Sequence, residues 1–441
     1  MLLFGITAAL CAGIAVLAVA SPRIGLGAVF AAYILLPFTP VGRIGAGLHV
    51  ATMLVLAMAA VRLLVVPRNR TGRGQRQLYL PLNVHVLVLV FVVGASANQF
   101  LFGSAPLLAG AFLLNQIVAP YLFFLLCIDA GRDDPQFLPL ATKAFVLTGA
   151  IQAGLAVLIA NGLVAQPFAT RFGANYWWEE VVANGRQLGT LDTPLNLGLF
   201  LAACVPLVLV FRRMPTRIVC LALLMTGLFF TQSRIGILAG VVGLVYLALF
   251  GLRGTASRLT LVAGTVLGYL TLSFTGALDA FFERVADDKG SSEARSSAWE
   301  YLLSRWHEFL VQGEGIFGSR TYLIEHGFSS SAESALFGYS MAFGLIFTLC
   351  YFAAMIWIII EAVRFHGKVT AATLSAMIVL VSIQLYSSIT TESSAAYILW
   401  TTLYFAIGSV TTIWPKVSPE AGITPQGAVA AGAGGATGRG R

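Results

Sequence analysis

The sequence predicts an all-α polytopic membrane protein with twelve or thirteen transmembrane helices. Three observations carry this. Of 441 residues, 58% are hydrophobic and only 10% charged, whereas a water-soluble domain carries about 25% charged residues. Mean hydropathy is +0.85. Apolar runs of about 20 residues, the length that crosses ~30 Å of hydrocarbon, recur along the chain. No polar stretch is long enough to form a separate soluble domain.

Taken in order, the runs place spans at 1–20, 24–38, 47–66, 82–103, 107–128, 139–163, 194–211, 217–233, 235–252, 258–275, 336–360, 370–389 and 395–414. The first lacks the basic leader and cleavage site of a secretory signal and reads as a span. The second is short and suits a tilted or re-entrant segment. The chain therefore divides into N-terminal transmembrane helices (1–163), a first outer loop (164–193) and a hairpin-bearing block (194–275). A large outer loop (276–335), C-terminal helices (336–414) and an Ala/Gly-rich tail (415–441) complete it. The tail has no apolar periodicity and reads as a disordered cytoplasmic segment.

Orientation follows from Lys and Arg. Arg68, Arg70, Arg73 and Arg76 crowd one loop, Arg212, Arg213 and Arg217 a second, Arg253 and Arg258 a third, and Arg364 and Lys368 a fourth. These loops share one face, which the positive-inside rule makes cytoplasmic. That assignment places 18 of the 27 basic residues inside and 14 of the 19 acidic residues outside. The net charge of +8 is thus a topology signal and gives no reason to expect nucleic acid. Cys11, Cys127, Cys204, Cys220 and Cys350 all fall within apolar runs, at spacings that suit neither a metal site nor a disulfide framework. No internal repeat is evident, which weighs against a transporter built from inverted halves.

Arginine is rare on the outer side of such proteins, so Arg186, Arg234, Arg295 and Arg320 are the candidate functional cations. Arg234 occupies the apex of two short apolar runs in FFTQSRIGILAG. It either snorkels to the headgroups or offers its planar fork to a phosphate. Arg295 precedes Trp299 at the start of an amphipathic segment, 294–311, that suits the membrane surface. Next comes Gly313-x-Gly315-x-x-Gly318. With no strand before it, this run reads as a flexible turn and not as a nucleotide fingerprint. Glu333 stands at the start of the span 336–360, where partial desolvation makes a carboxylate a better base; the alternative is a helix-terminal charge. Arg186, Asp192 and Asn196 border the first outer loop. Tyr176, Trp177 and Trp178 form either an interfacial belt or a sugar-stacking platform. The outer loops carry no carboxylate pair at ligand spacing on an expected helix, so no metal is expected.

In this order the residues resemble the superfamily of bacterial O-antigen ligases and O-antigen or exopolysaccharide polymerases. The resemblance rests on Ser233-Arg234-x-Gly236, on Arg295 with Trp299 and Gly313–Gly318, and on ESALFGYSMAFGLIF (333–347). The last stretch looks like the family's H-N-x-x-L pattern, with Gly344 eleven residues after Glu333. Glu333 and Ser334 stand where ligases carry His and Asn, which tilts the reading towards polymerase. The resemblance covers roughly 180–360. It implies a GT-C-like fold and a bacterial inner-membrane location. It also implies an undecaprenyl-diphosphate-linked oligosaccharide donor taken from the periplasmic side, a glycan acceptor and no cofactor. Arg234 and Arg295 would stabilise the leaving diphosphate, supported by Arg186 and Arg320, and Glu333 would act as base. Asp192, Trp177 and Trp178 would contact substrate. Membrane lipids and a chain-length regulator protein would be partners. A ligase, a flippase or transporter, and a non-enzymatic assembly subunit are the alternative readings.

Overall fold

The computed structural model describes residues 2–38, 43–44, 47–65, 80–173, 175, 177–251, 258, 289–328, 333–386 and 388–413. Among them, six helices are long and apolar enough to cross a membrane: Leu82–Leu101, Pro106–Asp133, Phe137–Ala160, Met214–Thr231, Arg234–Gly251 and Leu345–His366. Six shorter apolar helices, Gly5–Ala20, Pro22–Leu35, Val50–Leu64, Pro194–Val210, Ala371–Ser382 and Ala395–Gly408, pack with them. The protein is an all-α, multi-pass membrane protein. A two-residue hairpin pairing Arg43 with His49 and Ile44 with Leu48 precedes the third helix. The expected span 258–275 lies outside the described residues, apart from Arg258.

The helices begin where the sequence supplies caps. Thr193 accepts a hydrogen bond from Asn196 N ahead of Pro194, Ser233 accepts from Gly236 N, and Thr370 accepts from Thr373 N. In lipid, helices associate by close packing, which small residues permit. Gly236 meets Gly198 so closely that a Cβ there would lie 3.1 Å from the Gly198 Cα. One helical face further on, Gly243 packs on Val205 and Pro206. The two glycines press Arg234–Tyr246 onto Pro194–Leu207 and bring Ser233 beside the start of the latter.

Contacts alone distinguish two ends of the bundle. At the basic end Arg23 pairs with Asp134 at 2.5 Å, Arg62 with Asp129 at 2.8 Å, and Arg217 donates to Phe211 O. At the opposite, loop end the 161–193 segment folds over the helix tops. Gln152 is buried within Phe137–Ala160 and clamps this loop by bonding both Thr190 Oγ1 and Thr190 N. The Thr190 hydroxyl in turn donates to Ile34 O.

Three features depart from the reading of the sequence. The run 336–360 is two helices, Ala335–Phe343 and Leu345–His366, broken at Gly344. There φ is +94° and a Cβ would lie 2.4 Å from Val311 O, so the chain turns at the one residue able to do so. The run 370–389 is helical only to Ser382. The segment 294–311 belongs to the helix Lys289–Arg305 and its continuation, and it does not give its whole apolar side to the membrane. Leu302 and Phe309 are buried against Leu323, Phe337 and Met341, while Leu303, Trp306 and Val311 stay exposed.

Candidate functional site

The loop end gathers most of the sequence candidates. The helix Met214–Thr231 ends at Gln232 in a left-handed conformation, φ +52°, and Arg234 is the first residue of the next helix. The first outer loop docks on this turn. Gln187 N donates to Phe230 O at 2.9 Å, the Gln232 amide donates to Asn184 O, and Arg186 Nε donates to Thr231 O at 3.3 Å. Arg186 and Arg234 therefore flank one tight turn. Arg186 bonds the C-terminal carbonyl of Thr231, at a helix end where a cation is favoured. Arg234 sits at the positive N-terminus of the next, where it is disfavoured unless an anion is present.

Glu333 is half-buried at the mouth of Ala335–Phe343. Its φ of +42° places a non-glycine residue in the left-handed region, a strain of about 1–2 kcal/mol that recurs at functional sites. Ser334, not Glu333, is the helix cap, accepting from Phe337 N. A continuous series of contacts joins Glu333 to the arginine turn. Ala335 N and Leu336 N donate to Ile383 O and Gln384 Oε1, Tyr386 donates to Asn196 Oδ1, and Gly198 packs on Ser233.

Asp192 is 2% exposed. Its carboxylate accepts from Phe38 N and, at 2.8 Å, from Ser394 N. It thereby ties together the ends of three segments. Trp177 and Trp178 pack with Phe172, Val181 and Leu188 as a small core for the first outer loop. Phe172 stacks on Trp178 at 5.5 Å and 25°, which occupies one ring face. Tyr176 lies outside the described residues. Arg320 is exposed on the helix Gly315–Glu325. Arg295 lies within Lys289–Arg305, its side chain outside the described residues. On that helix Tyr301 bonds Tyr322 through their hydroxyls at 2.6 Å; burial, and then this bond, push the Tyr301 hydroxyl up to about 12.

No family model matches the chain, and no curated protein or solved structure is similar to it. The site must be judged on its own chemistry.

Four residues that the sequence reading did not weigh are central to the geometry. Asn98 and Gln99, both buried at the loop end of Leu82–Leu101, hold the glycine-rich run. The Asn98 amide faces Gly94 O, Val311 O and Phe343 O at 3.0–3.1 Å, and its oxygen accepts from Gly313 N at 2.7 Å. Gln99 accepts from Ile316 N and donates to Ser104 O. The run 313–318 is thus pinned rather than flexible: 313–314 lead into the helix Gly315–Glu325, and Gly313 and Gly315 serve close backbone approach. A Cβ on Gly313 would strike Ala342 C at 2.4 Å. The third residue is Glu392, whose Oε1 accepts from Asn115 Nδ2 at 3.2 Å. The fourth is His49, buried, stacked on Phe38 at 3.7 Å and bonded to Asn115 through its backbone N. Among the described residues, no group of three or more His, Cys, Asp or Glu is arranged to hold a metal ion.

Proposed function

We propose that this chain polymerises oligosaccharide repeat units carried on a polyprenyl diphosphate, in bacterial exopolysaccharide or O-antigen synthesis. In this reading the basic end is cytoplasmic and the loop end, facing the periplasm, is the active face. The single observation that carries it is the docking of Arg186 on the Ser233–Arg234 turn. Arg186 and Arg234 flank that turn, at a helix N-terminus on the edge of a membrane bundle. That is a binding site for a diphosphate, and a lipid-linked diphosphate presents one at this level.

The reaction follows from these groups. The acceptor sugar hydroxyl attacks the anomeric carbon of the donor, and the bond from that carbon to the diphosphate oxygen breaks. The electron pair leaves with the diphosphate, whose growing charge is met by Arg234 and Arg186, with Arg295 and Arg320 as further cations of the loops. The hydroxyl proton passes to Glu333. Attack opposite the leaving group inverts the anomeric centre, and no metal is required. A carboxylate in place of an imidazole at 333 favours polymerase over ligase.

The test is polymer amount and chain length in cells deleted for the chromosomal copy, at equal membrane levels of each variant. Arg234→Ala and Arg295→Ala abolish polymer, Arg→Lys rescues poorly, and Glu333→Gln lowers activity by about 10²–10⁴. Wild-type polymer from Arg234→Ala returns that arginine to a snorkelling role and overturns the reading.

A further inference from the structure

The helices of the bundle are unequal in length, and the inequality falls at one end. The ion pairs Arg23–Asp134 and Arg62–Asp129 mark the basic boundary. Counted from that layer at 1.5 Å per residue, His49 lies about 20 Å above Arg62 and Asn115 about 21 Å above Asp129. Ala371–Ser382 has 12 residues, so it rises about 18 Å. The neighbouring helices Leu82–Leu101, Phe137–Ala160 and Leu345–His366 have 20, 24 and 22 residues and rise about 30–36 Å. The top of the short helix, like His49 and Asn115, therefore sits about 10 Å below the outer boundary of a ~30 Å hydrocarbon layer.

At that depth residues 383–386 and 388–394 are not helical. Irregular backbone at membrane depth is tolerated where protein buries it or where it lines a polar cavity. This segment is gripped from three sides. Tyr339 donates to Ile389 O at 2.7 Å, Gln116 Nε2 to Ser393 O at 3.0 Å, and Ser394 N to Asp192. The grip from Asn115 and Gln116 depends on a π-helical turn, Leu114–Val118. Pro120, which has no N–H to give the Gln116 carbonyl, follows it and accounts for the wide turn.

Two polar atoms in this assembly have no hydrogen-bond partner: Gln116 Oε1 and Ser394 Oγ. Their residues are 0% and 1% exposed. An amide oxygen only accepts, and a hydroxyl both donates and accepts. What completes them must carry hydrogen-bond donors, and a buried acceptor left unmet costs about 1–3 kcal/mol. Thr390, Thr391 and Glu392 form the partly exposed edge of the same segment, so a carboxylate stands at the border of the buried pair.

We propose that the 388–394 segment is the floor of an outward-facing polar site sunk into the outer leaflet. It binds hydroxyl groups of a saccharide, with Gln116, Ser394 and Glu392 as the contacting side chains. Naming the ligand as the acceptor sugar rests on the function proposed above; the sunken polar site does not. A hydroxyl donates to Gln116 Oε1 and a second exchanges with Ser394 Oγ. Glu392 accepts from a third at the border of that pair, its geometry held by Asn115.

Two measurements test this on the full-length protein. In nanodiscs, Thr391→Cys and Glu392→Cys are treated with a charged methanethiosulfonate reagent, and the modified residue is located by mass spectrometry. A water-filled site reacts at least tenfold faster than Leu238→Cys, which lies 66% exposed on an apolar helix face. Equal or slower reaction overturns the site. In cells, Glu392→Gln and Gln116→Leu cut polymer at least tenfold, while Glu392→Asp keeps part of it at the same membrane level. Loss with Arg234→Ala but normal polymer with Glu392→Gln and Gln116→Leu overturns this inference alone. Normal polymer from Arg234→Ala as well overturns the proposed function, and with it the saccharide as ligand, while the labelling result still decides the polar site.

Discussion

Replacing Asn98 by leucine keeps the side chain's size and removes the two hydrogen bonds that tie it to the turn, one to Val311 O and one from Gly313 N. Side-chain bonds inside membrane proteins average about 0.6 kcal/mol each, so two sum to about 1.2 kcal/mol. Gly313 N, which bonds Asn98 Oδ1 at 2.7 Å, is then left without its acceptor in a buried place, at about 1–3 kcal/mol more. The turn 311–316 should lose about 3 kcal/mol of its hold, which raises its open population roughly a hundredfold. Trypsin reports this directly, because Arg305 and Arg320 flank the turn and are exposed. When opening is fast relative to cleavage, the rate tracks the open population. In nanodiscs, Asn98→Leu should be cut at these sites roughly a hundredfold faster than the parent, with cleavage at the basic end unchanged. An unchanged rate at Arg305 and Arg320 would refute the claim that Asn98 holds the loop.

Two further outcomes follow from the backbone. At Glu333, both Ala and Gly lose the carboxylate but only Gly is at ease at φ +42°. Glu333→Gly should therefore be more stable than Glu333→Ala by about 1 kcal/mol in mixed-micelle unfolding, while on the proposed function both make no polymer. Gly236→Leu should drive the Arg234 helix off Pro194–Leu207, so that the variant melts well below the parent in detergent; a parental melting temperature would show that this contact is not close.

The spans were legible because membrane crossing needs little more than a run of apolar residues. Ten of the expected thirteen runs coincide with single continuous helical segments among the described residues, and an eleventh, 370–389, is helical only over Ala371–Ser382. The break at Gly344 was hidden in ESALFGYSMAFGLIF, where every residue suits a buried helix. Only the approach of Val311 O reveals why the chain must turn there. Asn98 and Gln99 were overlooked for a related reason. They close an apolar run and look like boundary residues, and their partners lie more than two hundred positions away. Arg186 and Arg234 were conspicuous as outer cations, but their shared turn follows from the loop's docking, which no spacing encodes. Asp192 was marked for its charge and position. The structure adds that two backbone N–H groups hold it, a fact composition cannot carry. Glu392 lies in the short stretch between the expected spans 370–389 and 395–414, and the early end of Ala371–Ser382 lengthens that stretch from five residues to twelve.

The two ends of the bundle are fastened by different kinds of bond. At the basic end the fasteners are ion pairs between partly exposed groups, Arg23 with Asp134 and Arg62 with Asp129. At the loop end they are mostly buried amides and backbone groups, at Asn98, Gln99, Asn115, Gln116 and Gln152, together with the buried Asp192 carboxylate held by two backbone N–H groups. Dissolved salt screens exposed pairs over a length of about 8 Å at physiological ionic strength and leaves buried dipoles almost untouched. The protein therefore has one end whose cohesion varies with the ions around it and one whose cohesion does not.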